Sequence, residues 1–372
     1  MDVFLSSWSF VLPALAIFTI VVFIHELGHY SVARMVGVRV DVFSIGFGPQ
    51  LASVTDRAGT RWKFSLIPLG GYVKFHGDAN AASTAADPSA ADDDGAFHGK
   101  ALWRRAAIVS AGPAANFILA IVIFAGLFMT AGEVVRPAVV GAVSPDSPAA
   151  AAGFAPGDRV VQVNDWRVSD FQDLVRIVSL RPESLLDIAV MRDGQRIVLD
   201  VVPERVSVTD ALGNTSDVGR LGISSSDVVE VVRFGPVDAT GRAVVRTWQQ
   251  VNTILVFIGQ MITGDRSTEG LAGPLGIARM SGEVAQFGLL ASLAFTAALS
   301  INLGLLNLFP VPVLDGGHLL YYAIEWLRGR PLGQRAQEIG AMIGLSMVLL
   351  LLVLGTFNDV MRFSFVRSLV GQ

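Results

Sequence analysis

Three observations in the sequence predict a polytopic α-helical membrane protein with four transmembrane helices, membrane-associated β-hairpins on the cytoplasmic side and an inserted extracytoplasmic domain. First, a mean hydropathy of +0.54 and a charged fraction of 16% are too apolar for an ordinary soluble chain of 372 residues. Second, four uncharged stretches are long enough to cross a bilayer, namely residues 3–24, 106–132, 287–314 and 339–358. Third, basic residues are frequent between the first and second spans and between the third and fourth, which predicts that these loops are cytoplasmic.

The segments between the spans have recognisable patterns of their own. Residues 38–45 alternate with a period of two and residues 62–75 are again extended, which predicts hairpin strands near the membrane or, alternatively, a small surface sheet. Residues 76–99 are rich in Ala, Ser and Asp and predict a flexible loop. The predicted order is a first transmembrane helix with HExxH at 1–30, a cytoplasmic β-hairpin region and flexible acidic loop at 31–105, a second transmembrane helix at 106–132, an inserted domain at 134–205, an extra strand and interfacial amphipathic helix at 206–286, a third transmembrane segment at 287–320 and a fourth transmembrane helix at 338–358.

The pentapeptide at residues 25–29, HELGH, closes the first apolar run. His25 and His29 are four residues apart, so both imidazoles project from one face of the helix, as a tetrahedral zinc site requires. Glu26, directly after the first histidine, can reach a water molecule at the metal and is predicted to be the catalytic base. The alternative is a buried histidine pair with a structural role. A glutamate near hydrocarbon costs a few kcal/mol unless it is compensated, which favours the metal.

Asp315 is predicted to be the third metal ligand. The chain has no cysteine, so a metal must be held by His, Asp or Glu. The first and third spans run in the same direction, and Asp315 follows the third span just as the histidines end the first. Two neutral imidazoles and one carboxylate, together with ionised Glu26, bring a single Zn²⁺ close to neutrality and leave one position for water.

The segment before Asp315 predicts an interrupted helix. Pro310 and Pro312 each lack an N–H and clash with the preceding turn, so the third span is expected to break there. Irregular backbone at membrane depth must be satisfied by protein or by a cavity, and an extended substrate strand could pair with it. Asn307 could hold substrate backbone through its amide; alternatively, the prolines form a plain kink and Asn307 bonds a neighbouring helix. His318 is predicted to be structural rather than a ligand.

The inserted domain resembles a PDZ domain. Residues 147–154, SPAAAAGF, and residues 156–164, PGDRVVQVN, are similar to the central segment of that family. A PDZ domain accepts a peptide by adding it as a strand to an exposed sheet edge. A peptide ligand is therefore one expectation, and a domain that only restricts access to the membrane portion is the alternative.

Taken together, these motifs resemble the site-2 protease family, and most of all its bacterial RseP-type intramembrane metalloproteases. The likeness rests on HELGH at the end of the first span, NLFPVPVLDGGH at residues 307–318, a PDZ-like domain between spans two and three, and residues 70–74 and 111–117. RseP carries two tandem PDZ domains whereas this chain shows one. The resemblance implies one Zn²⁺ per chain on His25, His29 and Asp315, Glu26 as catalytic base, and substrate binding by Asn307, Pro310, Pro312, Gly46, Phe47, Gly48, Gly70, Gly71 and Tyr72.

The sequence therefore predicts a zinc-dependent endopeptidase of the bacterial inner membrane. The family implies that it cuts transmembrane segments of single-pass proteins already shortened by a site-1 protease, of the anti-sigma-factor or remnant-signal-peptide type. Membrane lipid is an expected partner, and nucleic acid is not, because the net charge is −4 and no basic stripe with interleaved aromatics is present. The rivals are a scaffold with a structural metal, and a transporter, which should show paired broken helices in two repeated halves.

Overall fold

Four helical segments are long and apolar enough to cross a membrane, which confirms the four predicted spans by length and composition. The computed structural model describes residues 2–78, 93–209, 215–264 and 273–361, so most of the predicted flexible loop lies outside the described residues. The candidate spans are Phe10–Met35, Leu102–Thr130, Leu289–Asn307 and Arg335–Met361.

Two compact units divide the chain: Met1–Leu127 with Gly235–Gln372, and Phe128–Phe234. The helices are α1 Asp2–Met35, α2 Leu102–Thr130, α3 Pro148–Ala151, α4 Phe171–Ser179, α5 Pro236–Thr263, α6 Pro274–Gln286, α7 Leu289–Asn307, α8 Asp315–Arg328 and α9 Gln334–Met361. The strands are β1 Val40–Thr55, β2 Arg61–Phe75, β3 Glu133–Val135, β4 Val140–Val143, β5 Arg159–Val163, β6 Trp166–Arg167, β7 Leu186–Arg192, β8 Gln195–Val201, β9 Glu204–Thr209, β10 Thr215–Arg220, β11 Ile223–Ser225 and β12 Glu230–Val232.

The third predicted segment, 287–320, is divided between two helices. Helix α7 ends at Asn307 and α8 begins at Asp315, with an irregular stretch between them. The physical reason is the one that the sequence indicates: Pro310 and Pro312 cannot continue a helix. The predicted break is therefore present, and it separates Asn307 from Asp315.

Strands β1 and β2 form the predicted hairpin, and the hairpin folds over on itself. Residues 42–45 pair with residues 61–64 on one edge and with residues 71–74 on the other, while residues 52–55 pair with 61–64. Gly46 (φ +90°), Gly48 (φ +85°) and Gly70 (φ +119°) supply the positive φ angles at the bends. The fold-over leaves residues 71–74 on an edge of the sheet.

An aromatic core holds the hairpin against α1 and α2. Phe43 is fully buried and its ring stacks on Trp62 with centroids 4.3 Å apart. Phe97 is also buried and stacks on Phe75 at 4.9 Å, because the Phe97 N–H donates to the carbonyl of His76. The C-terminal end of the predicted loop, residues 93–99, is therefore docked on the hairpin and not separate from it.

The unit Phe128–Phe234 has its own hydrophobic core around the sheet β6-β5-β7-β8 and helix α4. The Asp193-Gly194 pair between β7 and β8 has positive φ at both residues, as a type I′ turn requires. The unit extends beyond the predicted boundary at 205, because β11 returns to pair with β4, and β12 with β3. These pairings join residues about eighty or more positions apart, which local patterns do not reveal.

Helix α5 lies within residues 206–286, where the sequence predicts an amphipathic helix. Gly235 is its N-cap and Pro236 its first residue, a favourable combination because proline at N1 loses no helical hydrogen bond. Ala239, Ala243 and Thr247 are buried along one face, and Trp248 is exposed. This two-sided character agrees with the amphipathic helix expected within residues 206–286.

Candidate metal centre

His25 and His29 lie one turn apart on α1, and their rings contact one another edge to face. Both residues are buried, and their Nε2 atoms are 3.1 Å apart. The ring planes are nearly perpendicular at 86°, so the two Nε2 atoms point toward a common position. This is the arrangement that the i, i+4 spacing predicts.

Asp315 completes the group, as the common depth of the two span ends predicts. Its Oδ2 lies 3.1 Å from His25 Nε2, and its Oδ1 lies 3.5 Å from His29 Nε2. Asp315 is the first residue of α8, so the start of this helix positions its carboxylate. The start of α8 packs closely against the irregular stretch that precedes it. A Cβ at Gly316 would lie 2.2 Å from the Phe309 carbonyl, and one at Gly317 would lie 2.4 Å from the Val311 carbonyl. The two glycines therefore allow the stretch to pack under the start of α8.

The three donors fit a zinc ion. Their ligand atoms all lie within 4.8 Å of one another. Two ligand atoms held tetrahedrally at about 2.1 Å from zinc are about 3.4 Å apart, close to the separations of 3.1 and 3.5 Å seen here. Asp315 Oδ2 is buried and, among the described residues, makes no hydrogen bond of good geometry. The oxygen is therefore directed at the position that a metal would take.

His29 is held in the tautomer that metal binding needs. Its Nδ1 lies 2.9 Å from the carbonyl oxygen of Ile108 on α2, so Nδ1–H donates and Nε2 presents its lone pair. Glycines allow this close approach of the two helices: a Cβ at Gly28 would lie 2.4 Å from the Ala111 carbonyl. A Cβ at Gly112 would lie 2.3 Å from His29 Nε2.

Glu26 lies between the histidines and the hairpin. A Cβ at Gly71 would approach Glu26 Cγ to 3.4 Å, so this part of the hairpin packs directly against the Glu26 side chain. A cavity of about 420 Å³ adjoins this group. It is lined by His25, Glu26, His29, Phe47, Gly71, Tyr72, Val73, Phe75, Phe97, Val109, Asn307, Val313, Asp315, His318 and Tyr322.

Of the predicted substrate-binding residues, four line this cavity: Phe47, Gly71, Tyr72 and Asn307. The Phe47 and Tyr72 rings stack with centroids 6.2 Å apart. Asn307 Nδ2 is 3.3 Å from His25 Nε2, which brings its amide beside the metal ligands.

The other predicted residues, Gly46, Gly48, Gly70, Pro310 and Pro312, are not among the lining residues described. Gly70 packs on the Phe47 ring, whose Cε2 would lie 2.4 Å from an added Cβ. Pro312 packs against α9, where a Cβ at Gly344 would overlap its carbonyl. These residues shape the bends and the helix break next to the cavity.

Two residues of α2 contact the centre without having been predicted to do so. Gly112 leaves room for both histidine rings, and Asn116 Nδ2 lies 3.2 Å from His25 Nδ1. Both belong to residues 111–117, which resemble the family segment, and an asparagine inside an apolar run was the available signal. His318 lines the cavity, and among the described residues the candidate metal ligands are His25, His29 and Asp315 only.

An ion pair holds α8 against α2 near the centre. Arg105 donates to both carboxylate oxygens of Glu325, at 2.6 and 3.4 Å, and its guanidinium lies 5.0 Å from the centroid of the Tyr322 ring. Glu325 and Tyr322 follow Asp315 on the same face of α8, at helical spacing. The pair thus fixes the helix that carries the third ligand.

Comparisons with known proteins agree with this geometry. Peptidase family M50 matches residues 13–351. The chain is 45% identical over 369 residues to a "putative zinc metalloprotease" of Rhizobium meliloti, covering 97% of this chain and 99% of that protein. A protein of the same name from Agrobacterium fabrum is 44% identical over 376 residues, covering 97% of each. Metalloprotease MmpA of Caulobacter vibrioides is 37% identical over 385 residues, covering 96% of each.

The family match spans most of the chain, and the relatives match nearly end to end. The predicted zinc and the predicted enzyme class are thereby confirmed, and the three converging donors supply a site that fits the metal. This chain belongs to peptidase family M50, the site-2 protease family, and is a zinc metalloendopeptidase.

Proposed function

We propose that this metalloprotease cleaves transmembrane segments of single-pass membrane proteins, with one Zn²⁺ held by His25, His29 and Asp315. The observation that carries the proposal is the position of Glu26. Its carboxylate adjoins the convergent donors on a helix apolar enough to span a membrane, and it lines the same cavity as the hairpin edge. Hydrolysis of a peptide bond at this depth needs a base beside the metal ligands, and Glu26 occupies that place.

The roles of the chain's own residues follow from this geometry. Zinc, when bound, polarises water and the scissile carbonyl. Glu26 accepts the proton of the attacking water and passes it to the leaving amine. Gly71 on the hairpin edge leaves room for the Glu26 side chain, which packs directly against it. Asn307, whose amide lies 3.3 Å from His25 Nε2, is positioned to donate to substrate backbone at the same point.

The hairpin edge offers a way to hold an unwound substrate. Backbone amides of a transmembrane helix are bonded within the helix, so a scissile segment must first lose those bonds. Residues 71–74 lie at the edge of the folded-over sheet, and Gly71, Tyr72 and Val73 line the cavity. An extended segment added to this edge regains hydrogen bonds beside Glu26. The stacked rings of Phe47 and Tyr72 form an apolar surface for its side chains.

Orientation and substrate class complete the proposal. Basic residues in the hairpin region and after α7 favour a cytoplasmic position for the metal centre in a bacterial inner membrane. The unit Phe128–Phe234 is then extracytoplasmic and of PDZ type, a kind of domain in which a peptide adds as a strand to an exposed sheet edge. Substrates are of the anti-sigma-factor or remnant-signal-peptide type, already shortened by a site-1 protease. Membrane lipid is the surrounding partner.

The test compares purified wild type with Glu26→Gln. Zinc content and chelator-sensitive cleavage of a synthetic transmembrane peptide are measured on the same samples. We expect Glu26→Gln to retain zinc and to lose turnover by at least about 100-fold, because a positioned acid–base residue contributes about 10²–10⁴-fold. Glu283→Gln, at an exposed glutamate paired with Arg279, is the matched control and should cleave normally. Cleavage by Glu26→Gln at the wild-type rate would rule out Glu26 as the base, whereas wild type that holds zinc and does not cleave would support the scaffold alternative.

A further inference from the structure

Asn116 is a fully buried polar residue of α2 at the meeting point of three helices. Its side-chain Nδ2 lies 3.2 Å from His25 Nδ1 on α1. Its backbone carbonyl accepts a hydrogen bond of 2.8 Å from the Ser300 hydroxyl on α7. A Cβ at Gly304 would lie 3.1 Å from Asn116 Cβ, so α7 packs directly against this residue. Packing and hydrogen bonding therefore fix the position of the carboxamide.

His25 requires a hydrogen-bond partner at Nδ1. When neutral imidazole binds a metal through Nε2, its proton resides on Nδ1 and needs an acceptor. His29 has such an acceptor, the Ile108 carbonyl at 2.9 Å. At His25 Nδ1 the polar contact seen among the described residues is the carboxamide of Asn116.

The carboxamide of Asn116 has the atom that His25 needs. Its Oδ1 is buried and has no hydrogen-bond partner among the described residues. The nitrogen and oxygen ends of a carboxamide are nearly the same size and are distinguished by their hydrogen bonds. A half-turn about the Cβ–Cγ bond brings Oδ1 to the Nδ1 atom, where it accepts the Nδ1–H.

We propose that Asn116 is a positioning residue of the metal centre: its side-chain oxygen accepts the Nδ1–H of His25 and holds Nε2 toward the zinc. The inference deepens the proposed function, on which it rests. It gives the two histidines equivalent support from the same helix, one through the Ile108 carbonyl and the other through a side chain. Partners of this kind are worth about 10–100-fold in metal affinity.

Zinc affinity of the full-length protein in detergent micelles tests the proposal, by titration against a competing chelator. Asn116→Leu keeps the branching and the number of heavy atoms and removes both polar ends, and we expect affinity to fall about 10–100-fold. Asn116→Asp keeps an acceptor at the same place, and we expect affinity within about 3-fold of wild type, since carboxylates also support zinc-bound histidines. Asn302→Leu is the matched control, because the Asn302 amide bonds within its own helix, to the Ala298 carbonyl. It should bind zinc as wild type does.

Two results would overturn the proposal. One is wild-type affinity in Asn116→Leu; the other is an Asn116→Asp affinity as weak as that of Asn116→Leu, which would mean that the amide donates to Nδ1. If Asn116→Leu does not fold, the proposal is tested instead by NMR of zinc-loaded wild type with isotope-labelled histidine, which detects the proton on His25 Nδ1. A proton on His25 Nδ1 supports the inference and its absence refutes it. Because peptide cleavage is not the readout, a protein that binds zinc in this way without cutting transmembrane peptides would refute only the proposed function.

Discussion

Two carboxylates that each have a buried oxygen, Asp158 and Asp315, show how differently the two units of this protein use the same side chain. Asp158 is fully buried, and Arg192 donates to its two oxygens at 2.6 and 2.7 Å while the Ala155 N–H donates at 2.8 Å. Asp315 faces two imidazole nitrogens, and its buried Oδ2 has no hydrogen bond of good geometry among the described residues. The first is satisfied within the chain, whereas the second belongs to a group of three residues that could hold a metal ion. The incompletely bonded oxygen of Asp315 is thus the one that faces the two imidazole nitrogens of the candidate metal centre.

The largest effects are expected when each of the two carboxylates is replaced by an amide. Asp315→Asn should lower zinc affinity by more than about 100-fold and abolish peptide cleavage, because an amide oxygen is a weaker ligand than a carboxylate. Asp158→Asn should leave zinc binding unchanged and lower the free energy of unfolding of its own unit by about 2–3 kcal/mol, because Arg192 loses its charged partner. Zinc titration and denaturant unfolding measure the two outcomes. Loss of zinc in Asp158→Asn would contradict the assignment of separate roles.

A smaller effect is expected from filling the space that Gly112 leaves beside the two histidine rings. In Gly112→Ala the added Cβ would lie 2.3 Å from His29 Nε2 and 2.9 Å from His25 Cε1, so the rings must turn away from their common position. We expect zinc affinity to fall about 10–100-fold, as for other changes that reorient a ligand. Gly126→Ala on the same helix is the control, because a Cβ there meets nothing within 4 Å. Equal zinc affinities in the two variants would show that the rings adjust without cost.

The smallest expected effect is the loss, at acid pH, of the stabilisation that the hydrogen-bonded Asp158 carboxylate contributes. Burial alone raises the pKa of Asp158, but hydrogen bonds from the Arg192 guanidinium and the Ala155 N–H outweigh it and hold the pKa below its ordinary value. The unfolded pKa is about 3.9, so this stabilisation is complete above about pH 4 and is lost as pH falls through the lower folded pKa.

Hydrogen exchange of the β5 and β7 amides, followed from about pH 5 downward, measures this loss after correction for intrinsic exchange rates. Arg192→Gln removes the charged donor, so the folded pKa of Asp158 should return toward or above its unfolded value. The acid-dependent part of the protection should then disappear. An unchanged pH dependence in Arg192→Gln would assign the acid sensitivity to another group.

Sequence patterns predicted those features that depend on local chemistry. The spans follow from uninterrupted apolar runs, the paired imidazoles from the spacing of His25 and His29, and the helix break from Pro310 and Pro312. Asp315 could be added because two parallel spans end at a similar depth. In each case a few neighbouring residues, or one simple geometric rule, fixed the outcome.

Features that depend on contacts between distant residues were not predicted. The pairing of β11 with β4 joins Val140 to Ser225, and nothing in either strand identifies the other. The double pairing of residues 42–45 depends on bends at Gly46 and Gly70, whose positive φ angles are compatible with many turns. Asn116 was read as part of an apolar helix, since its function depends on which helix packs beside it.

The contact between α1 and α2 restricts where a lateral gate for substrate can open. His29 is bonded to the Ile108 carbonyl, and Gly28 lies directly against Ala111. Parting these two helices would break the hydrogen bond that orients a zinc ligand and expose a carbonyl to lipid. The two helices are therefore expected to move together during the catalytic cycle, and a transmembrane segment, the substrate proposed above, would have to enter at another point on the perimeter.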